Sequence, residues 1–347
     1  MKIFISRLGG IGDCIIVTPL IRYLKQRGDE VYMLTSEQGM EIFKNNPHIT
    51  KLHLHEKDSI PNKVLDDYFE SIRQAWECDK HIGLSESIEV NVALYPSSPR
   101  YKYPLYERKE LCDKNYYEAT FVFANLKNTD EEDITLHANH VKFWANGKYA
   151  GFYRPEMFFD DAEQREMAKF FSHHLGKFVV IWVLSGSQRS KTYPYYAQVI
   201  NKILQTYKDV VVITVGDEKC QILEQPFNDK RVIKKSGIWA VRESILACKH
   251  ASLVISPDTG ILHGAGCFDT PKIGLLTHTS VENITKHFKN DYSIECDHQL
   301  ITCSPCYQLH YISKVDCQLA DDGYTPICMD MGIPPEKIME RIANVRN

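Results

Sequence analysis

The stretch Ser256-Pro257-Asp258-Thr259-Gly260-Ile261-Leu262-His263-Gly264-Ala265-Gly266 carries the fold in miniature. It follows a short apolar run, Leu253 to Ser256, and leads from Gly260 into a helix. A strand that ends in a polar, glycine-containing loop and passes directly into a helix is the building unit of parallel α/β sheets. The first turn of that helix presents the backbone N–H groups of Thr259 and Gly260 to an anion, so the loop is a phosphate seat or a plain helix start. In the second case Asp258 or Thr259 is the cap and His263 is a core residue. His263 lies four positions beyond Thr259 and shares its helix face.

The same grammar extends in both directions. Upstream lie strand Phe178 to Leu184, a helix from about Pro194 to Tyr207, strand Val210 to Val215, a short strand Arg231 to Lys234 and a helix over Ala240 to Lys249; strand Lys272 to Leu276 lies downstream. The N-terminal half opens with strand Lys2 to Arg7, a glycine-rich turn and a helical stretch from about Gly12 to Arg27 that stops at Gly28. Val31 to Thr35 follows as a second strand, with weaker β signals at Lys51 to Leu54 and Val90 to Leu94. Helical spacing over Asp160 to His174, closed by Gly176, marks the entry to a second domain. Tyr95 to Tyr106, rich in proline and tyrosine, reads as an exposed loop or as a contact surface for a sugar or lipid acceptor.

The expected fold class is therefore α/β, with two doubly wound, Rossmann-like domains in tandem, facing each other across a ligand cleft. The expected domains are residues 1–165, residues 166–332 with a four-cysteine segment at 303–328, and a terminal helix in 333–347 that is a candidate to cross back to the first domain. A length of 347 residues suits two domains, and 44% apolar with 25% charged residues is an ordinary globular balance. A net charge of −4 leaves no field to attract a nucleic-acid backbone, so nucleic acid is not an expected partner. The longest apolar runs are strand-length, well short of the roughly 20 residues of a membrane span, and the N-terminal stretch lacks the apolar core of a secretion signal. The expected location is the cytoplasm, with the 11 cysteines mostly reduced.

Two further loops carry candidate chemistry. Arg7-Leu8-Gly9-Gly10-Ile11-Gly12-Asp13 joins the first strand to its helix, and Gly10 and Gly12 permit close approach of a ligand. A dinucleotide fingerprint needs a third glycine where Ile15 stands, which weighs against NAD. Asp13 is a helix-start residue or, at a strand end facing a cleft, a general base for a hydroxyl. The second loop, Ser185-Gly186-Ser187-Gln188-Arg189-Ser190-Lys191-Thr192-Tyr193-Pro194, offers hydroxyls and positive charge suited to a diphosphate; its plain alternative is a solvated turn.

Taken together, the three loops resemble glycosyltransferase family 9, the ADP-heptose:lipopolysaccharide heptosyltransferases. Ile11-Gly12-Asp13 with Thr18-Pro19-Leu20, Lys191 before Tyr193-Pro194, and Ser256, Asp258, Thr259, Gly260 and His263 match its motifs in order. The resemblance implies a GT-B fold and an inverting transfer of heptose from ADP-heptose to a lipopolysaccharide core acceptor, without a catalytic metal. It implies Asp13 as the base, with Gly10 and Gly12 in the acceptor-side loop. Ser187 and Lys191 would neutralise the leaving diphosphate, Thr259 and Gly260 would cradle it, and Asp258 and His263 would stand nearby in the donor site. Trp239 falls where the family places an apolar residue against adenine, and Asp217 or Glu218 falls near its ribose-contacting acid. The acceptor is a glycolipid or a protein, and peripheral attachment at the inner membrane stays open. A related transferase with another sugar, a nucleotide-binding oxidoreductase or epimerase, and a non-catalytic sugar-nucleotide binder are the rival readings.

Near the C-terminus, Cys303, Cys306, Cys317 and Cys328 form C-x2-C-x10-C-x10-C, a spacing that can supply four thiolates to a structural zinc or iron. The alternatives are buried free thiols or a labile disulfide. The resembled family includes a branch, acting on autotransporter proteins, that holds iron on four cysteines.

Overall fold

The apolar runs of the sequence become the central strands of two parallel sheets in the computed structural model, which describes residues 1–56, 59–84, 102–124, 152–187, 191–308, 317 and 325–347. The chain divides into two units, Met1–Glu89 with Lys114–Phe158 and Val90–Asp113 with Phe159–Asn347.

In the first unit the elements run β1 (Lys2–Arg7), α1 (Ile11–Ile16), α2 (Thr18–Gln26), β2 (Glu30–Thr35), α3 (Glu37–Phe43), β3 (Lys51–Leu54), α4 (Leu65–Ala75) and β4 (Lys80–Gly83). After α5 (Leu105–Cys112), which belongs to the second unit, comes α6 (Tyr116–Phe123). The expected helix from Gly12 to Arg27 is two helices. Pro19 has no N–H to donate, so it sits in the opening turn of α2, where none is required, and the chain bends at Val17. The sheet order is β3-β2-β1-β4, all parallel, with Ile3, Phe4 and Ile5 fully buried at its centre. β4 has only one large apolar residue, Ile82, and forms through its pairing with β1, from Ile3 opposite Lys80 to Ser6 opposite Gly83. The strand expected at Val90 to Leu94 lies outside the described residues, as do residues 95–101 of the expected loop; Leu105 and Tyr106, at its end, open α5.

The second unit continues with α7 (Asp161–Ser172), β5 (Phe178–Val183), α8 (Tyr196–Thr206), β6 (Val210–Val215), α9 (Gln221–Glu224), β7 (Val232–Lys234), α10 (Val241–His250) and β8 (Leu253–Pro257). It closes with α11 (Gly260–Ala265), β9 (Lys272–Leu276), α12 (Val281–Ile284), β10 (Ile294–Glu295), α13 (Ile327–Asp330) and α14 (Pro335–Arg346). Six parallel strands lie in the order β10-β9-β8-β5-β6-β7. Strand side chains alternate between faces, and both faces here are apolar, as a sheet covered on two sides requires. Val180, Trp182, Val212, Ile255 and Leu275 pack with Val199 and Ile203 of α8 and with Ile338 and Ile342 of α14. Val179, Ile181, Val211, Ile213 and Val254 pack on the other face with Met167 and Phe171 of α7 and Leu246 of α10.

The terminal helix is therefore part of the second unit's core. Arg346, near its end, pairs with Asp209 at 3.0 Å and lies over the rings of Tyr207 and Phe178. α5 is tied to the same unit where Asn283 Nδ2 donates to the Cys112 carbonyl at 3.1 Å. Among the described residues no helix is long and apolar enough to cross a membrane.

The topology fixes where ligands can sit. In each sheet the chain first builds to one side of its opening strand and later returns to the other side. The crossovers then diverge and leave a crevice at the strand's carboxyl end. In the first unit that crevice opens beyond β1, between its neighbours β2 and β4; in the second it opens between β5 and β8.

Candidate functional site

Beyond β1, Gly9 and Gly10 let the chain fold back so that Asp13, in the first turn of α1, reaches its own loop. Asp13 Oδ2 accepts the Gly10 N–H at 2.8 Å. A Cβ on Gly9 would come within 2.9 Å of Asp13 Cβ and Oδ2, so this turn has no room for a side chain there. Asp13 Oδ1 pairs with Arg7 Nη2 at 2.8 Å. Arg7 is buried and also donates to the Asp13 and Leu84 carbonyls. Asp13 thus occupies the helix-start position and a buried ion pair at once. A carboxylate has roughly four lone-pair directions, and two are used here, which leaves capacity to accept a hydroxyl proton. Gly12 lies half-buried in the same turn.

In the second unit the loops after β5 and β8 meet in the crevice. A Cβ on Gly186 would lie 3.0 Å from both Lys191 Cδ and Thr259 Cγ2, which shows how closely the two loops approach. Ser185 and Thr192 hydroxyls, 2.6 Å apart, close the β5 loop around Ser187, while residues 188–190, Arg189 among them, lie outside the described residues. In the β8 loop, Thr259 caps α11 by accepting the Leu262 N–H at 3.3 Å, and its hydroxyl is 3.0 Å from that of Ser256.

At the centre is Asp258. Its Oδ2 lies 3.4 Å from Lys191 Nζ and 3.3 Å from His278 Nε2, and its Oδ1 lies 3.7 Å from His263 Nε2. Burial alone would raise the Asp258 carboxyl. Lys191 and the two histidines more than offset that and hold it well below the usual carboxylate range. Burial pushes the His278 imidazole down, Lys191 adds to this, and Asp258 opposes it, so the ring favours its neutral form. The fold thus assembles Lys191, Asp258, Thr259 and His263, together with Gly260 at the start of α11.

His278 was not singled out from sequence. It stands two residues past the end of β9, in Leu276-Thr277-His278, with no glycine or motif around it. The available signal was positional: a polar residue just beyond the carboxyl end of the strand next to β8.

Trp239 and Glu218 belong to loops at the β6 and β7 ends of the same sheet. Trp239 is half-buried, its ring edge-to-face with Phe170 at 5.0 Å, and Lys235 Nζ lies 5.1 Å from each ring. Gly237, at φ +64°, presses on the Glu218 backbone: a Cβ there would fall 2.8 Å from Glu218 Cα. The two loops are thereby packed together, Glu218 is exposed, and Asp217 caps the short turn Glu218–Cys220. Beneath them the buried Glu224 Oε1 accepts from the Thr214 hydroxyl and from the N–H and hydroxyl of Ser236. Strands are about 4.8 Å apart, so these loops lie one and two strand spacings from β5, a span suited to a nucleoside beside its phosphates.

The cysteine segment gathers its thiols without forming a ligand cage. Burial pushes Cys306 up to about 12, with Cys303 and Cys317 contributing, and burial likewise raises Cys328, helped by Cys306, Cys296 and Cys317. Among the described residues no group of three His, Cys, Asp or Glu side chains is placed to hold a metal ion. The expected four-thiol site is thus not assembled among the described residues, although the thiols lie near enough to one another to raise each other's pKa. The segment does brace the β9 loop. Ser304 Oγ donates to the Thr277 carbonyl at 2.6 Å, and the Tyr307 N–H donates to the His278 carbonyl at 2.9 Å.

Two units, each a parallel sheet with a loop cluster at its switch point, are the architecture of the GT-B class. The sequence profile of glycosyltransferase family 9 (heptosyltransferase) matches residues 127–310, more than half of the chain, and the chain belongs to that family. Among solved structures, it is similar to a family 9 glycosyl transferase from Veillonella parvula (13% identity, TM-score 0.66, covering 99% of this chain and 96% of that one). It is similar also to the E. coli ADP-heptose LPS heptosyltransferase II (12%, 0.64, 99% and 98%). A third is the iron-containing dodecameric glycosyltransferase TibC from enterotoxigenic E. coli (10%, 0.57, 99% and 76%). At these identities the likeness is one of fold. No curated protein sequence matches the chain.

Proposed function

We propose that this chain transfers a heptose from ADP-heptose to a hydroxyl of a lipopolysaccharide core acceptor, with inversion at the anomeric carbon. The observation that supports this most is the Lys191–Asp258–His263–His278 cluster at the β5/β8 switch point, where a positive charge rests on a long contact and is free to meet a diphosphate. In the proposed reaction Asp13 takes the proton of the acceptor hydroxyl as its oxygen attacks the anomeric carbon. The bond from that carbon to the diphosphate oxygen breaks, and Lys191, Ser187 and the N–H groups of Thr259 and Gly260 receive the charge that develops. Trp239 and Glu218 are assigned to adenine and ribose. Residues 1–165 are assigned to the acceptor and 166–332 to the nucleotide-sugar.

The test is ADP release from ADP-heptose against a panel of truncated core glycolipids, with the anomeric configuration of the product read by NMR. Turnover with a core acceptor and an inverted linkage is expected. Stabilisation by NAD with no response to any nucleoside diphosphate would overturn the reading.

A second reading, transfer to a protein acceptor, draws on the four-thiol segment and on the fold likeness to the iron-containing TibC. It carries the proposal that the thiols close on a structural zinc or iron. Near-stoichiometric metal in protein purified without chelator is expected on that reading, and well-folded protein free of both metals refutes it.

A further inference from the structure

Two groups approach the same oxygen of Asp258. Lys191 Nζ stands 3.4 Å and His278 Nε2 3.3 Å from Oδ2, both longer than a well-made hydrogen bond of about 2.7–3.2 Å. Oδ2 is thus shared, and neither partner holds it fully. His278 Nε2 is buried and its contact with Oδ2 falls short of a well-formed hydrogen bond among the described residues, although the ring already acts on the carboxylate at this range. Its backbone is fixed: the Tyr307 N–H holds the His278 carbonyl, and Ser304 holds the carbonyl before it. The ring can therefore adjust while the loop stays in place.

Resting on the assignment of Lys191 to the donor diphosphate, we infer that His278 is a positioning residue that takes over Asp258 Oδ2 when Lys191 turns to the phosphates. Oδ2 of the buried carboxylate, stripped of its cation, would otherwise lack a donor, at a cost that would be subtracted from donor affinity. The neutral imidazole with its proton on Nε2 supplies one N–H to that oxygen and adds no positive charge to compete with Lys191 for it. His263, at 3.7 Å from Oδ1, faces the other oxygen and does not substitute for it.

The test is calorimetric titration of ADP into the full chain, as wild type, His278→Ala, His278→Gln, Lys191→Ala and the double variant Lys191→Ala/His278→Ala. The amide of glutamine places an N–H near the position of Nε2, so His278→Gln is the conservative rescue and also guards against a misfolded alanine variant. His278→Ala is expected to weaken ADP roughly 10- to 100-fold, and His278→Gln to recover most of that. Without Lys191 there is no cation to release, so removing His278 from the Lys191→Ala protein is expected to change ADP affinity by less than about two-fold. A purely structural role would weaken ADP equally in both backgrounds, and that result overturns the inference, as does unchanged affinity in His278→Ala. If the wild-type chain binds no ADP, the donor-site assignment falls and the inference with it. ADP binding by wild type with an indifferent His278 removes the inference alone.

Discussion

Each of the two units places an acid–base pair at the carboxyl end of its sheet, and the pairs are built with opposite polarity. Beyond β1 the cation is the anchored partner: Arg7 is 4% exposed and donates to Asp13 and to two backbone carbonyls, while Asp13 keeps 17% of its side chain open. Between β5 and β8 the carboxylate is the anchored partner: Asp258 is surrounded by Lys191, His263 and His278, and Lys191 touches it only at 3.4 Å. One unit immobilises a positive charge and offers a negative one; the other does the reverse. The proposed displacement asks for a base where the hydroxyl loses its proton and a cation where the leaving group gains charge, one offered group of each kind.

Removing the offered group from each pair tests that contrast. Asp13→Ala should show the largest effect on catalysis, a fall in turnover of roughly 10²–10⁴-fold, with ADP affinity unchanged because the loss is confined to proton transfer. Loss of its bond to the Gly10 N–H and of its ion pair with buried Arg7 should also lower stability, by about 3 kcal/mol or more. Single-turnover kinetics beside ADP titration separates the two; near-normal turnover would reduce Asp13 to a helix-start residue.

Lys191→Ala should act on both binding and rate, lowering kcat/KM roughly 10²–10³-fold and weakening ADP as well, because the cation serves the diphosphate in the ground state and more strongly as charge develops. If ADP bound equally well and only turnover fell, Lys191 would belong to the chemistry without belonging to the donor seat. The polarity contrast would then hold for one unit only.

The two regions also differed in how far their residues announced them. In the second unit, Phe178–Val183 and Val210–Val215 are runs of β-branched and aromatic residues, and the loops after β5 and β8 carry glycine, hydroxyl and charge in recognisable order, so strand, loop and candidate residues were legible together. β4 was not, because Lys80-His81-Ile82-Gly83 has no strand pattern of its own and exists as a strand through its pairing with β1. His278 was invisible for a related reason. A histidine after a strand means nothing until the order β9-β8-β5 brings that strand's end beside Asp258. Pairing Lys191 with Asp258 likewise needed the return of β8 to the side of β5, a long-range fact that local pattern does not encode. The cysteine spacing suggested a cage, yet spacing along the chain does not set sulfur-to-sulfur distance, and among the described residues no group of three ligands is placed to hold a metal.

The smallest effect expected is on the pH dependence of stability. Folding lowers the His278 pKa from its ordinary 6.5, through burial first and Lys191 second. Above 6.5 the ring is neutral in both the folded and unfolded chain, and no penalty arises; as pH falls below 6.5 the unfolded chain binds a proton that the folded site resists, and stability declines until the folded pKa is passed. Asp258 acts lower on the scale. Its pKa is held below the ordinary 3.8, so its contribution is complete above that value and is lost as pH falls through the folded one. Buried His55 and half-buried His81 and His250, all also lowered by desolvation, add to the first decline and remain in a His278 variant. Calorimetric Tm measured from pH 8 to pH 5 should therefore fall in the wild type and fall less, but still fall, in His278→Gln. Identical slopes in the two proteins would mean that the ring charges freely in place, and a histidine that becomes cationic beside Lys191 would contest the carboxylate it is meant to receive.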